Sequence, residues 1–217
     1  MKKGFGIVAL LCMTVQGAWA EDVIYFFYKV LDVDSQISLQ KYQGTATDPT
    51  VLTSNLLKNS SEDNLGTGWY VLNSSFTYGE RIVISGDVHL ILTDGCTLTA
   101  EQGIRINTNA TLTIYAQSET EGTMGKLVAK ETHHDKAAIG GNKDVQAGKL
   151  YIHGGEIEAT SSGKYSAGIG GGYGDGSGMK VITFYGGKVT ARLLSRRRYR
   201  WRQEQQQSWP HQHLRWN

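Results

Sequence analysis

Short bursts of alternating apolar and polar residues, separated by glycines, run through most of this chain. Leu150-Tyr151-Ile152-His153-Gly154-Gly155-Glu156-Ile157-Glu158-Ala159 is apolar at every second position on either side of a Gly-Gly pair, and Ile182-Thr183-Phe184-Tyr185-Gly186-Gly187-Lys188-Val189-Thr190-Ala191 repeats the arrangement. Period-two alternation interrupted by Gly-Gly predicts two short strands meeting at a corner. Ahead of each copy stands a second element, Ala137-Ala138-Ile139-Gly140-Gly141-Asn142 and, thirty residues on, Ala167-Gly168-Ile169-Gly170-Gly171-Gly172.

Earlier segments follow the same template with less glycine. Leu90-Ile91-Leu92 precedes Thr97-Leu98-Thr99-Ala100, and Leu112-Thr113-Ile114-Tyr115 precedes Lys126-Leu127-Val128-Ala129. Gly103-Ile104-Arg105-Ile106 holds the place later taken by the Ala-x-Ile-Gly-Gly element. The recurring unit is about 20 to 30 residues with three short strands, the scale of a solenoid repeat. No stretch after the first twenty residues sustains an i, i+3, i+4, i+7 apolar pattern, which excludes an α/β reading. The expected fold is all-β, a parallel β-helix or β-solenoid-like stack with glycine-rich corners, truncated at its C-terminal end.

Aligning the copies assigns residues to columns. Leu92, Ile114, Ile152 and Phe184 form one inward column, and Leu98, Leu127, Ile157 and Val189 another. Outward, Lys126, Glu156 and Lys188 alternate in sign, as neighbouring strands prefer. Thr93, Tyr115, His153 and Tyr185 share a second outward column beside the Gly-Gly corner.

The boundaries follow from these patterns. Residues 1–20 read as a signal peptide: Lys2 and Lys3, an apolar run from Ile7 to Val15, then Ala18-Trp19-Ala20 before Glu21. The run is too short to span a membrane, and Leu11 beside Cys12 does not fit a lipidation signal. The mature chain is therefore expected to be secreted or displayed on the cell surface. Residues 21–67 read as a lead-in segment or cap, with a strand over Val23 to Leu31 and a short helix over Val51 to Leu57. Residues 68–191 form the repeat region, and 192–217 a basic tail. Only Cys96 follows the signal, so no intrachain disulfide is available, and Cys96 reads as a small core residue.

Charge changes the picture at the tail. The chain has a pI near 8.4, yet residues 21–191 hold 13 Lys or Arg against 19 Asp or Glu. Residues 192–217 hold seven Arg against one Glu. An acidic body argues against nucleic acid as a partner. The genetic code suggests what the tail is. Tryptophan has the single codon TGG, so a frame one base later turns Trp201, Trp209 and Trp216 into glycine. Arg198, Arg200 and Arg202 can become glycine and Tyr199 isoleucine, thirty positions after Ile169, itself thirty after Ile139. His211 to Trp216 can likewise read Ile-Asn-Ile-x-Gly-Gly. The tail is expected to be frameshifted and disordered, and its arginine run is not a binding patch.

The run from Gly68 to Ala191 resembles bacterial secreted proteins described as carbohydrate-binding domain-containing, similar to surface adhesins and glycan binders of gut-dwelling anaerobes. The residues that carry the resemblance are Gly68-Trp69-Tyr70-Val71, the stretch Arg81 to Leu92, Leu112-Thr113-Ile114-Tyr115-Ala116, and the Ala-x-Ile-Gly-Gly and Gly-Gly-Lys-Val-Thr-Ala elements. The resemblance implies a right-handed parallel β-helix or related solenoid, and a polysaccharide or host-surface glycan as partner. It assigns no binding residues.

Candidate chemistry is sparse. Sugar recognition needs aromatic faces and polar groups, and the candidates are Tyr115, His153, Tyr185 and Trp69. The competing reading is that stacked aromatics stabilise the ladder, with Trp69 and Tyr70 capping the first repeat. Polysaccharide cleavage on this kind of scaffold would need paired carboxylates, and Asp87 and Asp94 are the best pair, although each sits beside a glycine in a predicted turn. His133-His134-Asp135 and Gly171-Gly172-Tyr173-Gly174-Asp175 are weak metal leads that read as loops. The glycine string around Ile169 lacks a Gly-Lys-Ser/Thr ending and is no phosphate loop. No catalytic residue, metal or cofactor is expected.

Overall fold

The computed structural model describes residues 21–33, 36–59 and 65–194. Residues 1–20, which the sequence pattern reads as a signal peptide, and the arginine-rich run fall outside the described residues. The chain begins with a long antiparallel hairpin of β1 (Val23–Val33) and β2 (Gln36–Ala46), in register from Val23 opposite Ala46 to Val33 opposite Gln36. Short β3 (Thr50–Val51) and helix α1 (Ser54–Asn59) follow. The helix begins later than the sequence pattern suggests because Thr53 caps it, its hydroxyl accepting the Leu56 N–H at 3.1 Å, while Val51 joins a sheet instead.

From Gly68 the chain repeats one three-strand circuit. It runs β4 (Gly68–Leu72), β5 (Phe76–Tyr78), β6 (Ile82–Ile84); then β7 (Asp87–Leu92), β8 (Thr97–Ala100), β9 (Ile104–Ile106). Next come β10 (Thr111–Ala116), β11 (Lys126–Glu131), β12 (Ile139–Gly140), and β13 (Ala147–Ile152), β14 (Glu156–Ser161), β15 (Ile169–Gly170). The described residues end with β16 (Met179–Phe184) and β17 (Lys188–Leu193). Each of β4 to β14 pairs in parallel with the strand three places later, giving one sheet of β3-β4-β7-β10-β13-β16, a second of β5-β8-β11-β14-β17, and a third of β6-β9-β12-β15.

The three sheets share one core. Leu98, Leu127 and Ile157 are at most 1 % exposed and stacked in direct register, with Val189 next in line. Ile104, Ile139 and Ile169 form a second column on the third sheet, so Gly103 to Ile106 does occupy the place of the Ala-x-Ile-Gly-Gly element. One expected column is displaced. Ile114 lies opposite Leu90, and Leu92 opposite Ala116. The slip is two residues, so the alternation that buries Leu90 and Leu92 still holds and only the neighbour changes. The Gly-Gly corners fall where expected. Gly155 and Gly187 have φ of +91° and +83°, a conformation in which a β-carbon is strained.

The two ends of the stack differ. Leu52, Leu57 and Leu65 close the N-terminal end at 0 to 2 % exposure. At the other end Ile182 and Phe184, which continue the inward columns of the first sheet, are 41 and 52 % exposed.

Candidate functional site

Parallel stacking in register places like positions of successive circuits about 4.8 Å apart, close to the optimum for face-to-face rings. On the outer face of the first sheet this builds a continuous aromatic strip. Trp69 stacks on His89 with centroids 4.4 Å apart and planes 15° off parallel. Tyr115 stacks on His153 at 5.2 Å and 3°, and His153 on Tyr185 at 4.5 Å and 6°. Tyr115 also approaches Trp69 at 5.4 Å and accepts or donates a hydrogen bond between its hydroxyl and His89 Nδ1 at 3.2 Å. All four sequence-predicted residues, Tyr115, His153, Tyr185 and Trp69, therefore lie in one strip. Thr93 does not join them: the two-residue slip aligns Tyr115 with Ile91, and the Thr93 hydroxyl donates to the Leu72 carbonyl at 2.6 Å.

The N-terminal hairpin lies across this strip. Tyr25 packs at 4.8 Å from the Trp69 ring and 4.6 Å from Tyr115. Phe26 pairs with Ala116, the edge of Phe27 meets His153 at 6.4 Å, and the Tyr28 N–H donates to His153 Nδ1 at 3.0 Å. Glu119 accepts hydrogen bonds from the Tyr28 hydroxyl and the Lys41 ammonium, which ties the hairpin to the loop after β10. Tyr115 is left only 8 % exposed, and burial pushes its phenol well above the usual tyrosine range. Tyr25, Phe27 and Tyr28 are site residues that sequence reasoning missed. The signal was present in the alternation Val23, Tyr25, Phe27 on one face of the predicted strand. Trp69 is a member of this seam rather than a cap on the first circuit.

His153 is held neutral by its surroundings. Burial among Tyr115, Tyr185 and Phe27 pushes its pKa down to about 4, and a proton on Nδ1 would break the bond from Tyr28. The unfolded imidazole titrates near its ordinary 6.5, so the folded state binds fewer protons between that value and about 4. Stability present above pH 6.5 is therefore lost as pH falls towards 4. Urea midpoints at pH 7 and pH 4.5 should show a steeper acid decline for the native chain than for His153→Phe; equal declines would remove this role.

A different surface faces outward from the second sheet. Lys126 Nζ stands 2.6 Å from Glu158 and 3.8 Å from Glu156, while Lys188 Nζ lies 3.7 Å from Glu156 and 3.1 Å from Glu121. Glu121 and then Glu156 hold the Lys188 ammonium above its ordinary pKa. A shallow 270 Å³ depression lies here, lined by Glu156, Glu158, Thr160, Lys188, Thr190 and Arg192. Its Glu156 and Glu158 carboxylates face the Lys126 and Lys188 ammonium groups.

The remaining leads dissolve into packing. Asp87 and Asp94 flank opposite ends of β7, roughly 20 Å apart by strand rise, far beyond the separation of a glycosidase pair. His133 Nδ1 lies 3.0 Å from Glu131, whereas His134 Nδ1 accepts the Lys164 N–H at 2.9 Å, so adjacent histidines serve different partners. Among the described residues no group of three or more His, Cys, Asp or Glu could hold a metal ion, and no helix is long and apolar enough to cross a membrane. Tyr173, in the glycine loop, packs on Tyr165 at 4.8 Å. Cys96 is half-buried against the core.

Among the described residues one ion pair is buried on both sides. Arg81, before β6, meets Glu131, at the end of β11, at 2.5 Å with side chains 10 and 0 % exposed. Arg81 also donates to the carbonyls of Gln102 at 2.7 Å and Ala137 at 2.8 Å, so one side chain joins successive circuits. Burial pushes the guanidinium down to about 10, still charged at neutral pH. Nothing in the sequence pairs these residues, fifty positions apart. No family model, no curated protein and no solved structure matches this chain.

Proposed function

We propose that this chain is a noncatalytic β-solenoid module of an exported, surface-displayed protein, an adhesin-like array that presents a long rigid face rather than transforming a substrate. The solenoid reading is supported by the constant three-strand offset of parallel pairing and by the single core that the three sheets enclose. Export rests on the sequence of residues 1–20. The observation that carries the functional reading is the use of the aromatic strip: Tyr25, Phe27 and Tyr28 of the hairpin occupy the faces of Trp69, Tyr115 and His153 that a glycan would stack on. Aromatic area spent on an internal seam contributes to stability and is not open to a ligand.

A second reading has its own support. Tyr185 and Tyr151 stack with centroids 6.5 Å apart and planes 22° off parallel, and both remain half-exposed. Two rings a sugar-width apart suit a polysaccharide chain crossing the stack.

The full chain tested on a glycan array and against polygalacturonate separates the classes. Silence in both supports the presenting array. Array binding that Tyr185→Ala abolishes favours the glycan reading. New reducing ends or unsaturated products would overturn the noncatalytic assignment.

A further inference from the structure

The C-terminal end of the stack is an unfinished interior. β15, β16 and β17 are the edge strands of their three sheets. Ile182 and Phe184 stand 41 and 52 % exposed, whereas their column mates Leu150 and Ile152 are fully buried. Leu193 is 51 % exposed, and a 530 Å³ depression opens between Ile169, Ala191 and Leu193. Among the described residues, three edge strands surround an open apolar floor, and sheet edges of this kind are adhesive.

The hairpin overshoots the same end. β1 advances along the stack from Tyr25, over Trp69 and Tyr115, to Tyr28, whose ring lies against Gly186 at the turn after β16. Lys29 to Val33 continue the strand by roughly 17 Å, the depth of at most about three further stacked strands. In this overhang Val30, Leu39 and Ile37 are 55, 49 and 78 % exposed. An apolar ribbon projecting past an open apolar floor has the shape of a seam waiting for more of the face it covers elsewhere.

We propose that this end is the docking face for a further circuit of the same repeat, supplied by residues 195–217 read one base later than their present frame. The inference rests on the solenoid reading. Its phase is set by direct pairing: Ile139 lies opposite Ile169, thirty residues apart, and the next position of that column is 199. A shifted frame can place isoleucine there, with glycine at 198 and 200 to 202, the composition of β15 and its flanks. The Ile-Asn-Ile-x-Gly-Gly that His211 to Trp216 can then encode falls 29 residues after Ile182 and carries the alternation and corner of the β13 and β16 strands.

The nucleotide sequence of codons 192–217 is the first test. Glycine and isoleucine at these positions in the later frame support the proposal, and their absence overturns it. The second test compares the full chain as it stands with the full chain carrying the frame-restored tail, by amide hydrogen exchange and light scattering. Exchange in β16 and β17 should slow by roughly tenfold or more with the restored tail, and that protein should be monomeric. Unchanged exchange at both strands, or equal self-association of the two proteins through this end, would overturn the proposal, the latter in favour of a second copy as occupant. Strands β7 to β14 act as the internal reference. Protection there in both proteins keeps the solenoid reading standing whatever the edge does, whereas fast exchange there removes that reading and this inference with it.

Discussion

Glu131→Ala should cost about 3–5 kcal/mol of stability, a fall in Tm on the order of 10 °C, because it strands a buried guanidinium. Glu131 is fully buried, and its Oε1 also accepts the N–H groups of Thr132 at 2.9 Å and His133 at 2.8 Å. Removing the carboxylate therefore leaves Arg81 without its counter-charge and two backbone donors without an acceptor, each expensive in an interior. The Coulombic attraction itself is not the main term, since desolvating two ions offsets most of it. Replacing both residues together, Arg81→Met with Glu131→Leu, should accordingly recover more than half of the loss. Urea unfolding of the three variants decides the matter. A double variant as unstable as the single one would show that the packing of the corner and its two unpaired N–H groups, and not the stranded charge, carry the effect.

Gly140→Ala should be as damaging, about 3–5 kcal/mol, for a reason rooted in stacking distance. A β-carbon on Gly140 would stand 2.0 Å from the Gly170 carbonyl oxygen directly beneath it, and φ at this residue is +135°. Both terms act on the backbone, so no rotamer change can relieve them, and β12 would have to lift off β15. Gly79→Ala supplies the contrast: nothing lies within 4 Å of its added carbon, and its effect should stay within about 0.5 kcal/mol. Thermal melts of the pair test the claim that glycines of the Ile-Gly-Gly element serve the spacing between circuits. Equal melts would refute it.

Much of the scaffold was legible in the chain. The thirty-residue spacing of Ile139 and Ile169 is their pairing in the third sheet, and Lys126, Glu156 and Lys188 stand in the predicted column. A repeat can be read this way because identical positions of successive circuits meet identical surroundings, so each copy reports the same buried face. Where the copies differ in length the reading slipped. Six residues run from Leu90 to the Gly95 turn, whereas Ile114 is followed by the longer loop that carries Glu119, so counting back from the corner misaligned Leu92 with Ile114. A two-residue slip leaves the faces unchanged, and the alternation could not reveal it.

The candidate site was half legible. Tyr115, His153 and Tyr185 were placed in one outward strip by aligning the repeats, and the strip exists. Whether it faces solvent was beyond any local pattern, because Tyr25 and Tyr115 lie ninety positions apart and meet only when the hairpin folds back over the sheet. Arg81 and Glu131 are a second case, two charges that look like solvated surface until the corner buries them together. Local periodicity determined which residues point inward, where the chain turns, and how Ile139 aligns with Ile169, since those depend on neighbours two or thirty residues away. Tertiary structure alone decided what covers the outward face, which charges lose their water, and which end of the core stays open. Those depend on segments with no shared period, and only the folded chain brings them into contact.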